Sequence, residues 1–426
     1  MLTSGELIET GLSTMILLKF ALRNLRRNLR RSVLTIGSIA FGLAVMLWLQ
    51  AVLSTRNDEV IETVTNLSTG HLQIQDADYA KDRSLNRTFS PSAADTARWK
   101  ALLPAQTVTS DRVYFGVILS SGEQSSPLMA VGIRPEDESR VTVISKQVVS
   151  GEYLVPDNDP ECPSRQILIG KPLADLLNVE VGSKIVLLGA ASDGTLGNDL
   201  FRVQGIFDTG SRDFDKSLAF APLGCIQKVA ALSGIHERAV RLPTLREIGP
   251  TFNKIQNEFQ KPLRLYSWTE LQPRLAMVLK YNDATNVLFA GLLLIVIVFG
   301  TMNTLFMSVF ERTREFGLMT ALGTEPRQMA GIILLEGMLL GVVSTLLGLV
   351  LGFAIILYHH KFGLDIRKFI GESGVMGDFS LSLVIYPKLE LRNFTNKVLI
   401  INAVVLLSSV LPALRVARMN TIDAIR

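Results

Sequence analysis

The stretch Glu311-Arg312-Thr313-Arg314-Glu315-Phe316-Gly317 shows how this chain is organised, because a charged segment directly follows an uncharged apolar run. That run, Thr285 to Phe310, is long enough to cross a bilayer, whose hydrocarbon core of about 30 Å needs roughly 20 helical residues. An apolar helix that ends in alternating charges is typical of a membrane span whose end meets water and another protein. The charged stretch therefore predicts a water-exposed segment at the end of a span.

Three further uncharged apolar stretches are long enough to cross a membrane, namely Val33 to Leu53, Gly337 to Tyr358 and Val398 to Leu414. A long polar insert separates the first stretch from the span that ends at Phe310. The sequence therefore predicts an α+β membrane protein with four transmembrane helices and a large α+β periplasmic domain between helices 1 and 2.

These runs set the predicted domain boundaries. The expected segments are an interfacial amphipathic helix (1–32), helix 1 (33–54), the periplasmic domain (55–283), helix 2 (284–310), a cytoplasmic coupling helix (311–331), helix 3 (332–358), a periplasmic loop (359–397), helix 4 (398–414) and a cytoplasmic tail (415–426).

The basic residues before the first span predict its orientation. They are Lys19, Arg23, Arg26, Arg27, Arg30 and Arg31. Such clusters stay in the cytoplasm, so both termini are predicted to be cytoplasmic. The loop between the third and fourth spans opposes this rule, because it is also basic although parity places it outside. The basic segment Met15 to Leu25 has leucines at helical spacing and is expected to lie in the membrane interface, whether translation starts at Met1 or at Met15.

The insert contains strand and helix patterns. Strands are predicted over Gly70–Gln75, Val113–Ser120, Leu128–Ile133, Ile167–Gly170, Lys184–Leu188 and Phe201–Phe207, and helices over Lys171–Leu177, Leu245–Glu258 and Ser267–Lys280. The last two of these strands are expected to form a hairpin. Cys162 and Cys225 are the two cysteines of the chain, and an oxidising periplasm would allow either a disulfide or two buried thiols.

The segment after the second span is expected to continue that helix as far as Gly323, before Gly323-Thr324-Glu325-Pro326 breaks it. A short helix from Arg327 is then expected to lead into the third span. Spacing alone does not distinguish a docking helix from a solvated helix end with a positive flank.

Residues at the start, middle and end of the chain resemble permeases of the lipoprotein-release and macrolide-exporter superfamily of ABC transporters. The similar stretches are Ala21 to Asn28, Glu311 to Gly323 and Pro412 to Arg426. The resemblance implies a non-catalytic permease, driven by a separate ABC ATPase subunit, that pairs with a second permease subunit of the same or a related kind. The chain has no GxxxxGK[ST] loop, in keeping with ATP and Mg bound by the partner and no cofactor bound by the chain itself.

The same resemblance implies that the inner loop seats on the ATPase. Its expected coupling residues are Glu311, Arg312, Arg314, Glu315, Gly317, Ala321 and Gly323.

The insert is similar to lipoprotein-releasing permeases over Ile167–Gly182 and Phe201–Phe207. In the subunit that recruits a periplasmic carrier, a hook loop containing a proline lies between these strands. The corresponding loop here is short and has no proline, so a hook and an ordinary hairpin turn remain alternatives. Its candidate residues are Ser192, Asp193, Gly194, Thr195 and Leu196.

Small residues in the third span predict close helix packing along one face. Gly337, Gly341, Gly348 and Gly352 recur at helical spacing, with Ser344 between them. The partner helix could belong to the same subunit or to a second one. Glu336 precedes this face near the inner surface, where we expect a snorkelling or arginine-paired side chain rather than a proton relay.

Metal and nucleic-acid functions find no support in the sequence. The chain has four histidines, and the adjacent His359 and His360 do not have the spacing of two metal ligands on one helix face. The formal net charge of +4 comes partly from basic flanks that suit anionic membrane lipids. The family resemblance implies a permease that releases lipoproteins from the inner membrane of a bacterium. Alternatives are a mechanotransmitting permease of a macrolide-exporter system and a regulator of periplasmic cell-wall hydrolases.

Overall fold

The computed structural model describes residues 23, 27, 29–156, 162–259, 261–366, 375–376, 379–380, 384–389 and 391–419. Apart from Arg23, the predicted interfacial helix Met15–Leu25 lies outside the described residues, and so does the end of the tail beyond Met419. The chain consists of a four-helix unit and a unit made mainly of residues 57–279, here called the inserted domain.

Within the described residues there are thirteen α-helices and fourteen strands. The helices are α1 (Leu29–Val64), α2 (Tyr79–Asp82), α3 (Ala93–Leu102), α4 (Pro135–Val141), α5 (Lys171–Leu177), α6 (Arg212–Ser217), α7 (Leu223–Ala230), α8 (Ile248–Ile255), α9 (Trp268–Leu271), α10 (Pro273–Glu311), α11 (Thr313–Ala321), α12 (Pro326–Phe362) and α13 (Leu391–Ala417). The strands are β1 (Leu72–Asp76), β2 (Val108–Ser120), β3 (Ser125–Ile133), β4 (Val148–Gly151), β5 (Gln166–Gly170), β6 (Lys184–Ala190), β7 (Leu196–Phe207), β8 (Leu218–Pro222), β9 (Glu237–Arg241), β10 (Leu263–Ser267), β11 (Leu364–Asp365), β12 (Val375–Met376), β13 (Phe379–Ser380) and β14 (Val384–Ile385).

Four of these helices are long and apolar enough to cross a membrane, namely α1, α10, α12 and α13. Three of them extend well beyond the apolar runs: α1 continues to Val64, α10 begins at Pro273, and α12 runs from Pro326 to Phe362. The predicted architecture, with a mixed domain inserted between the first and second spans, is confirmed. The predicted short helix from Arg327 is wrong as a separate element, because α12 continues through it without a break.

The inserted domain is built on one ten-stranded sheet in the order β10-β1-β9-β2-β3-β8-β5-β7-β4, with β6 paired to both β2 and β7. The pairs β3–β8 and β5–β7 are parallel, whereas the other pairs of this sheet are antiparallel. Separate apolar cores flank the sheet. One includes Phe115 and Phe201, and another includes Trp99 and Trp268.

The four long helices enclose an apolar core of their own, with Leu43 of α1, Ile297 of α10, Ile356 of α12 and Val405 of α13 among its members. Polar side chains join the helices in pairs, because a hydrogen bond between helices satisfies groups that lipid cannot. Thr35 and Thr304 share a 2.7 Å hydrogen bond between α1 and α10. Asn402 of α13 donates to Thr345 of α12 at 2.9 Å.

Candidate coupling site

The segment between the second and third spans is a separate short helix. The helix α10 ends at Glu311, and Arg312 leaves helical geometry with φ −114° and ψ 12°. The helix α11 then begins at Thr313 and ends at Ala321. The prediction that the second helix continues to Gly323 is therefore wrong, because the backbone turns at Arg312 and starts a new helix.

The end of α11 is a Schellman motif, in which backbone amides beyond the helix close onto its last carbonyls. The amide of Thr324 donates to the carbonyl of Met319 and the amide of Gly323 donates to that of Thr320, both at 3.0 Å. Gly323 has φ +95°, a left-handed conformation that residues with a Cβ rarely adopt. Its role is thus to end α11 and turn the chain into α12.

One face of α11 packs into an apolar core that it forms with α12 and α13. Phe316 and Gly317 are buried, and Phe316 contacts a cluster that includes Met329 and Ile333 of α12 and Val416 of α13. A force on α11 would therefore reach α12 and α13 through direct side-chain contact.

Two ion pairs connect the base of the first span to the same region. Arg27 lies 2.7 Å from Glu315, and Arg31 lies 2.6 Å from Glu311. Partial burial acts to raise the pKa of Glu315, but hydrogen bonds from Arg312 and Arg27 outweigh it and lower that pKa. Exposed pairs of this kind contribute about 0–1 kcal/mol each, so they orient α11 more than they stabilise the chain.

The side chain of Arg312 turns inward instead. Its Nε donates to Glu315 at 2.9 Å, its guanidinium lies 5.0 Å from the Phe316 ring centroid, and its Nη1 is 3.8 Å from a carboxylate oxygen of Glu336. Ser308 donates to the other Glu336 oxygen at 3.2 Å. Glu336 is therefore paired with an arginine.

The outward face of α11 contains a set of exposed side chains that includes two leucines. Arg314, Ala321 and Gly323 are exposed, and so are Leu318 and Leu322, with 59% and 80% of their surface accessible. The predicted coupling residues thus fall into three groups. Three are exposed on the outward face (Arg314, Ala321 and Gly323), two form ion pairs with the base of α1 (Glu311 and Glu315), and two are buried on the inward face (Arg312 and Gly317). Sequence reasoning missed Leu318 and Leu322, although their spacing from Arg314 places all three on one helical face.

The small-residue face of α12 packs within this chain. An added Cβ at Gly337 would collide with Ser409, and one at Gly341 would lie 3.0 Å from Asn402, both on α13. At Gly348 and Gly352 the neighbours are on α1, where a Cβ at Gly348 would lie 2.8 Å from the carbonyl of Ala40. The face thus brings α12 against two helices of the same subunit.

The loop compared with a carrier-binding hook is a tight hairpin turn between β6 and β7. Asp193 accepts from the amide and hydroxyl of Thr195 at 2.9 and 2.6 Å, and Gly194 has φ +83°. The amide of Ser192 donates to Ala230 at 2.9 Å, which ties the turn to the end of α7. Leu196, its last residue, begins β7 and is 68% exposed.

Cys162 and Cys225 are joined by a disulfide, with their Cα atoms 5.0 Å apart. Both lie in the same buried core as Phe115. The bond links the segment before β5 to α7.

The inserted domain also contains a buried charged network that the sequence did not suggest. Arg112 forms a two-point ion pair with Glu138 at 2.7 and 3.1 Å, lies 3.0 Å from Glu237 and donates to the carbonyl of Ser68. Tyr114 donates to Glu237 at 2.8 Å. Burial raises the pKa of Glu237, although Arg112 and Tyr114 act against it. The network fixes the turn after α1 against β2, because a buried charge without partners would be costly.

No group of three or more histidine, cysteine, aspartate or glutamate side chains suited to a metal ion occurs among the described residues. His71 and His236 are buried acceptors, since the Nδ1 of each accepts a backbone amide at 3.0 Å. These two histidines therefore have structural roles, because each holds a neighbouring backbone segment through its ring nitrogen.

Comparison with known families accounts for most of the chain. Residues 32–247 match the family described as MacB-like periplasmic core domain, and residues 287–421 match the FtsX-like permease C-terminal family. The first match spans the first long helix and most of the inserted domain and covers half of the 426 residues. The second covers most of α10 and all of α11, α12 and α13.

Curated relatives include transmembrane proteins of lipoprotein-releasing systems. LolC of Xylella fastidiosa (strain Temecula1 / ATCC 700964) is 24% identical over 78% of this chain and 78% of its own length. LolC of Neisseria meningitidis serogroup B is 23% identical over 75% of this chain and 76% of its own. The ABC transporter permease YtrF of Bacillus subtilis (strain 168) is 25% identical over 33% of this chain and 32% of its own.

Solved structures with low similarity to this chain include two extracytoplasmic domains. The extracellular domain of YknZ from Gram-positive bacteria has 14% identity and a TM-score of 0.33, covering 47% of this chain and all of that domain. The periplasmic region of MacB from Actinobacillus actinomycetemcomitans has 12% identity and a TM-score of 0.34, covering 51% of this chain and 97% of that region. The two family matches show that this chain belongs to the ABC transporter permeases that combine a MacB-like periplasmic core domain with an FtsX-like permease C-terminal segment.

Proposed function

We propose that this permease releases lipoproteins from the outer leaflet of a bacterial inner membrane, driven by a separate ATPase subunit. The observation that carries the proposal is the alignment with lipoprotein-releasing transmembrane proteins over 78% of both chains. An alignment of that length includes both membrane spans and inserted domain, so the likeness concerns the whole arrangement. The basic residues before α1 support a cytoplasmic location for both termini and a periplasmic location for the inserted domain.

The exposed face of α11 is the docking surface for the ATPase in this proposal. Leu318 and Leu322 supply apolar area, and Arg314 supplies a charge on the same face. The opposite face is fixed to α12 and α13 by Phe316, and Glu311 and Glu315 are paired with arginines at the base of α1. ATP-driven displacement of α11 would therefore move several helices as a rigid body.

A second permease subunit would cover the exposed side of α10. Only 11% of the apolar membrane-spanning stretch of α10 is buried within this chain, against 50% of the corresponding stretch of α1. The large exposed side chains along α10 include Leu288, Phe299 and Phe310. Two such helices facing each other would enclose an apolar cavity suited to acyl chains, with membrane lipids filling the remaining surface.

A mechanotransmitting permease of the macrolide-exporter type is the second candidate. The match to the MacB-like core domain favours it, and so does the short turn at Ser192–Leu196, which is held against α7 rather than projecting as a hook. In this case α1 and α10, which both continue into the inserted domain, would carry the motion to a partner in the periplasm.

The test is affinity purification of the tagged full-length permease from its own membranes in mild detergent, followed by mass spectrometry. We expect an ATPase, a permease in at least two copies, and lipoproteins that leave the complex when ATP and Mg are added. Lipoproteins that stay bound regardless of ATP would contradict release. Recovery of an ATPase with a periplasmic adaptor and no lipoprotein would favour the second candidate. Absence of any ATPase would reject both.

A further inference from the structure

Two neighbouring cavities in the inserted domain lie on one side of α3. The larger, about 610 Å³, is here called the Arg134 cavity, and the smaller, about 350 Å³, is called the Arg140 cavity. Thr96, Lys100 and Arg238 line both. Because they share these side chains, the two cavities adjoin each other.

Cationic side chains exceed acidic ones around these cavities. The charged residues that line them are Lys100, Arg134, Arg140 and Arg238 against Asp111 and Asp137. Asp111 is already shared by two arginines, since Arg238 binds it at 2.6 and 3.0 Å and Arg134 lies 3.8 Å away. A cleft lined by one excess sign of charge attracts a ligand of the opposite sign.

The buried guanidinium of Arg238 forms part of the floor. It is 7% exposed, lies 5.3 Å from the Trp99 ring centroid and donates to Asp111 twice and to Thr96 once. A guanidinium has five N–H donors, so two remain without an acceptor among the described residues. Buried donors normally find an acceptor, and a carboxylate matches this donor geometry.

The walls are apolar as well as cationic. Phe89, Pro91, Leu223 and Ile235 line the Arg134 cavity, while Trp99 and Ile74 line the Arg140 cavity. Their volumes lie within the range of about 300–1,000 Å³ typical of ligand sites and far exceed the needs of a single phosphate group. Apolar surface between cationic groups suits a chain that alternates carboxylates with apolar side chains.

We propose that these two cavities form a binding site for an acidic peptide segment that contains apolar residues. One carboxylate pairs with Arg238 and Lys100 where the cavities meet, and a second pairs with Arg134. This site requires neither the ATPase nor a lipid, so it goes beyond the release function and can be tested apart from it.

The test measures binding of a fluorescein-labelled Glu-Leu-Glu-Leu-Glu-Leu peptide to the full-length permease in detergent by fluorescence anisotropy. Peptides with glutamine or lysine in place of glutamate are the ligand controls. We expect the glutamate peptide to bind at least ten times more tightly than either control, with affinity that falls as salt is raised. Equal binding of the glutamine peptide would overturn the inference.

Variants then locate the site. Lys100→Gln with Arg134→Gln changes exposed side chains at the rim and is expected to weaken peptide binding at least tenfold. Arg98→Gln is the matched control, because Arg98 lies on the same helix, pairs with Glu258 and lines neither cavity. It is expected to change affinity less than twofold. Equal loss in the two proteins would indicate diffuse charge attraction and refute the site.

Two tryptophan variants test whether binding depends on the space inside the cavity, independently of its charge. Ala97→Trp fills the Arg134 cavity without altering charge, whereas Ala94→Trp adds the same ring to α3 outside both cavities. Only the first is expected to abolish binding. Inorganic phosphate and vesicles of anionic phospholipid are then added as competitors at the same concentration as the peptide. If either displaces the peptide, the site binds phosphate groups and the peptide proposal is overturned. Peptide binding without ATP-dependent release of lipoproteins would refute the proposed function and leave this inference standing.

Discussion

The Nη1 atom of Arg312 lies 3.8 Å from Oε2 of Glu336, and neither atom has a hydrogen-bond partner among the described residues. Both residues are buried, with 3% and 5% of their surface exposed. Arg312 occupies the break between α10 and α11, whereas Glu336 is on α12. The pair therefore connects the start of the candidate coupling helix to the third span through an interaction that is close enough to attract but not hydrogen-bonded.

Removing one partner of this pair should destabilise the chain more than removing both. Glu336→Ala removes the carboxylate beside the buried Nη1 of Arg312, while Glu315 still accepts a hydrogen bond from Nε. The loss should therefore lie towards the lower end of the about 3–5 kcal/mol that breaking a buried pair costs. Replacement of Arg312 and Glu336 together by methionine should cost clearly less. Unfolding in mixed micelles with increasing denaturing detergent measures both. A single variant as stable as the parent, or a double variant less stable than the single, would show that the pair does not hold α11 to α12.

The contact between α12 and α1 depends on the absence of a side chain at Gly348. A Cβ there would lie 2.8 Å from the carbonyl of Ala40 and 3.0 Å from Leu43, so Gly348→Ala must push the helices apart. Overpacking of this kind typically costs about 1–3 kcal/mol.

The matched control is Gly300→Ala in α10, where nothing lies within 4 Å of the added Cβ. There the better helix propensity of alanine should leave stability unchanged or raise it by up to about 1 kcal/mol. The same micelle unfolding measurement compares the two variants, and equal effects would contradict the packing shown here.

Apolar runs and strand alternation predicted the elements whose own sequence determines them. The four spans, the helix Lys171–Leu177 and the hairpin of β6 and β7 were all predicted, because length, periodicity and flanking turns are local signals. The strands β4, β8, β9 and β10 of the inserted domain were missed. The strands β8 and β9 are short and almost wholly buried, and β9 has Glu237 and Arg238 inside, so no alternation of polar and apolar residues marks them.

The sequence suggested a segment for the candidate coupling site but not the geometry of that segment. The charges from Glu311 to Glu315 indicated a surface segment, yet they did not mark the break at Arg312, whose guanidinium comes beside Glu336 of α12 only in the folded chain. The cavities beside α3 were not predicted, because they bring together residues from α3, from β9 and from the turn before α4. Such a site exists only once the sheet has formed.

The stability of the inserted domain should fall in mild acid because His71 is buried in its neutral form. Burial, and to a smaller degree the charge of Arg241, lowers the pKa of His71 from 6.5 to about 4. Between these values the unfolded chain binds a proton that the folded chain does not, so His71 contributes its full stability above pH 6.5 and loses it as the pH falls towards about 4.

Urea unfolding followed by tryptophan fluorescence at several pH values measures this effect, since Trp99 and Trp268 lie in the inserted domain. His71→Asn can keep an acceptor for the amide of Leu242 but cannot titrate. We expect the variant to have a shallower loss of stability between pH 6.5 and pH 4 than the parent, with the remaining slope due to other groups, among them His236, whose pKa is also lowered by burial. Parallel curves for the two proteins would show that His71 is not the titrating group.

The two exposed leucines of α11 should determine how tightly the ATPase binds. Burial of a leucine side chain contributes about 1.5–3 kcal/mol, and each 1.4 kcal/mol is a tenfold change in affinity. The double variant Leu318→Ser, Leu322→Ser is therefore expected to bind the ATPase at least ten times more weakly. The measurement is the amount of ATPase retained per permease in purified complexes. Leu196→Ser is the matched control, because Leu196 is a similarly exposed leucine that lies in the inserted domain. Its surface is 68% exposed, against 59% for Leu318 and 80% for Leu322.

If the double variant retains as much ATPase as the control, the outward face of α11 is not the docking surface. Loss of ATPase with unchanged unfolding would assign to these leucines a role in binding, because neither side chain is buried in the chain itself.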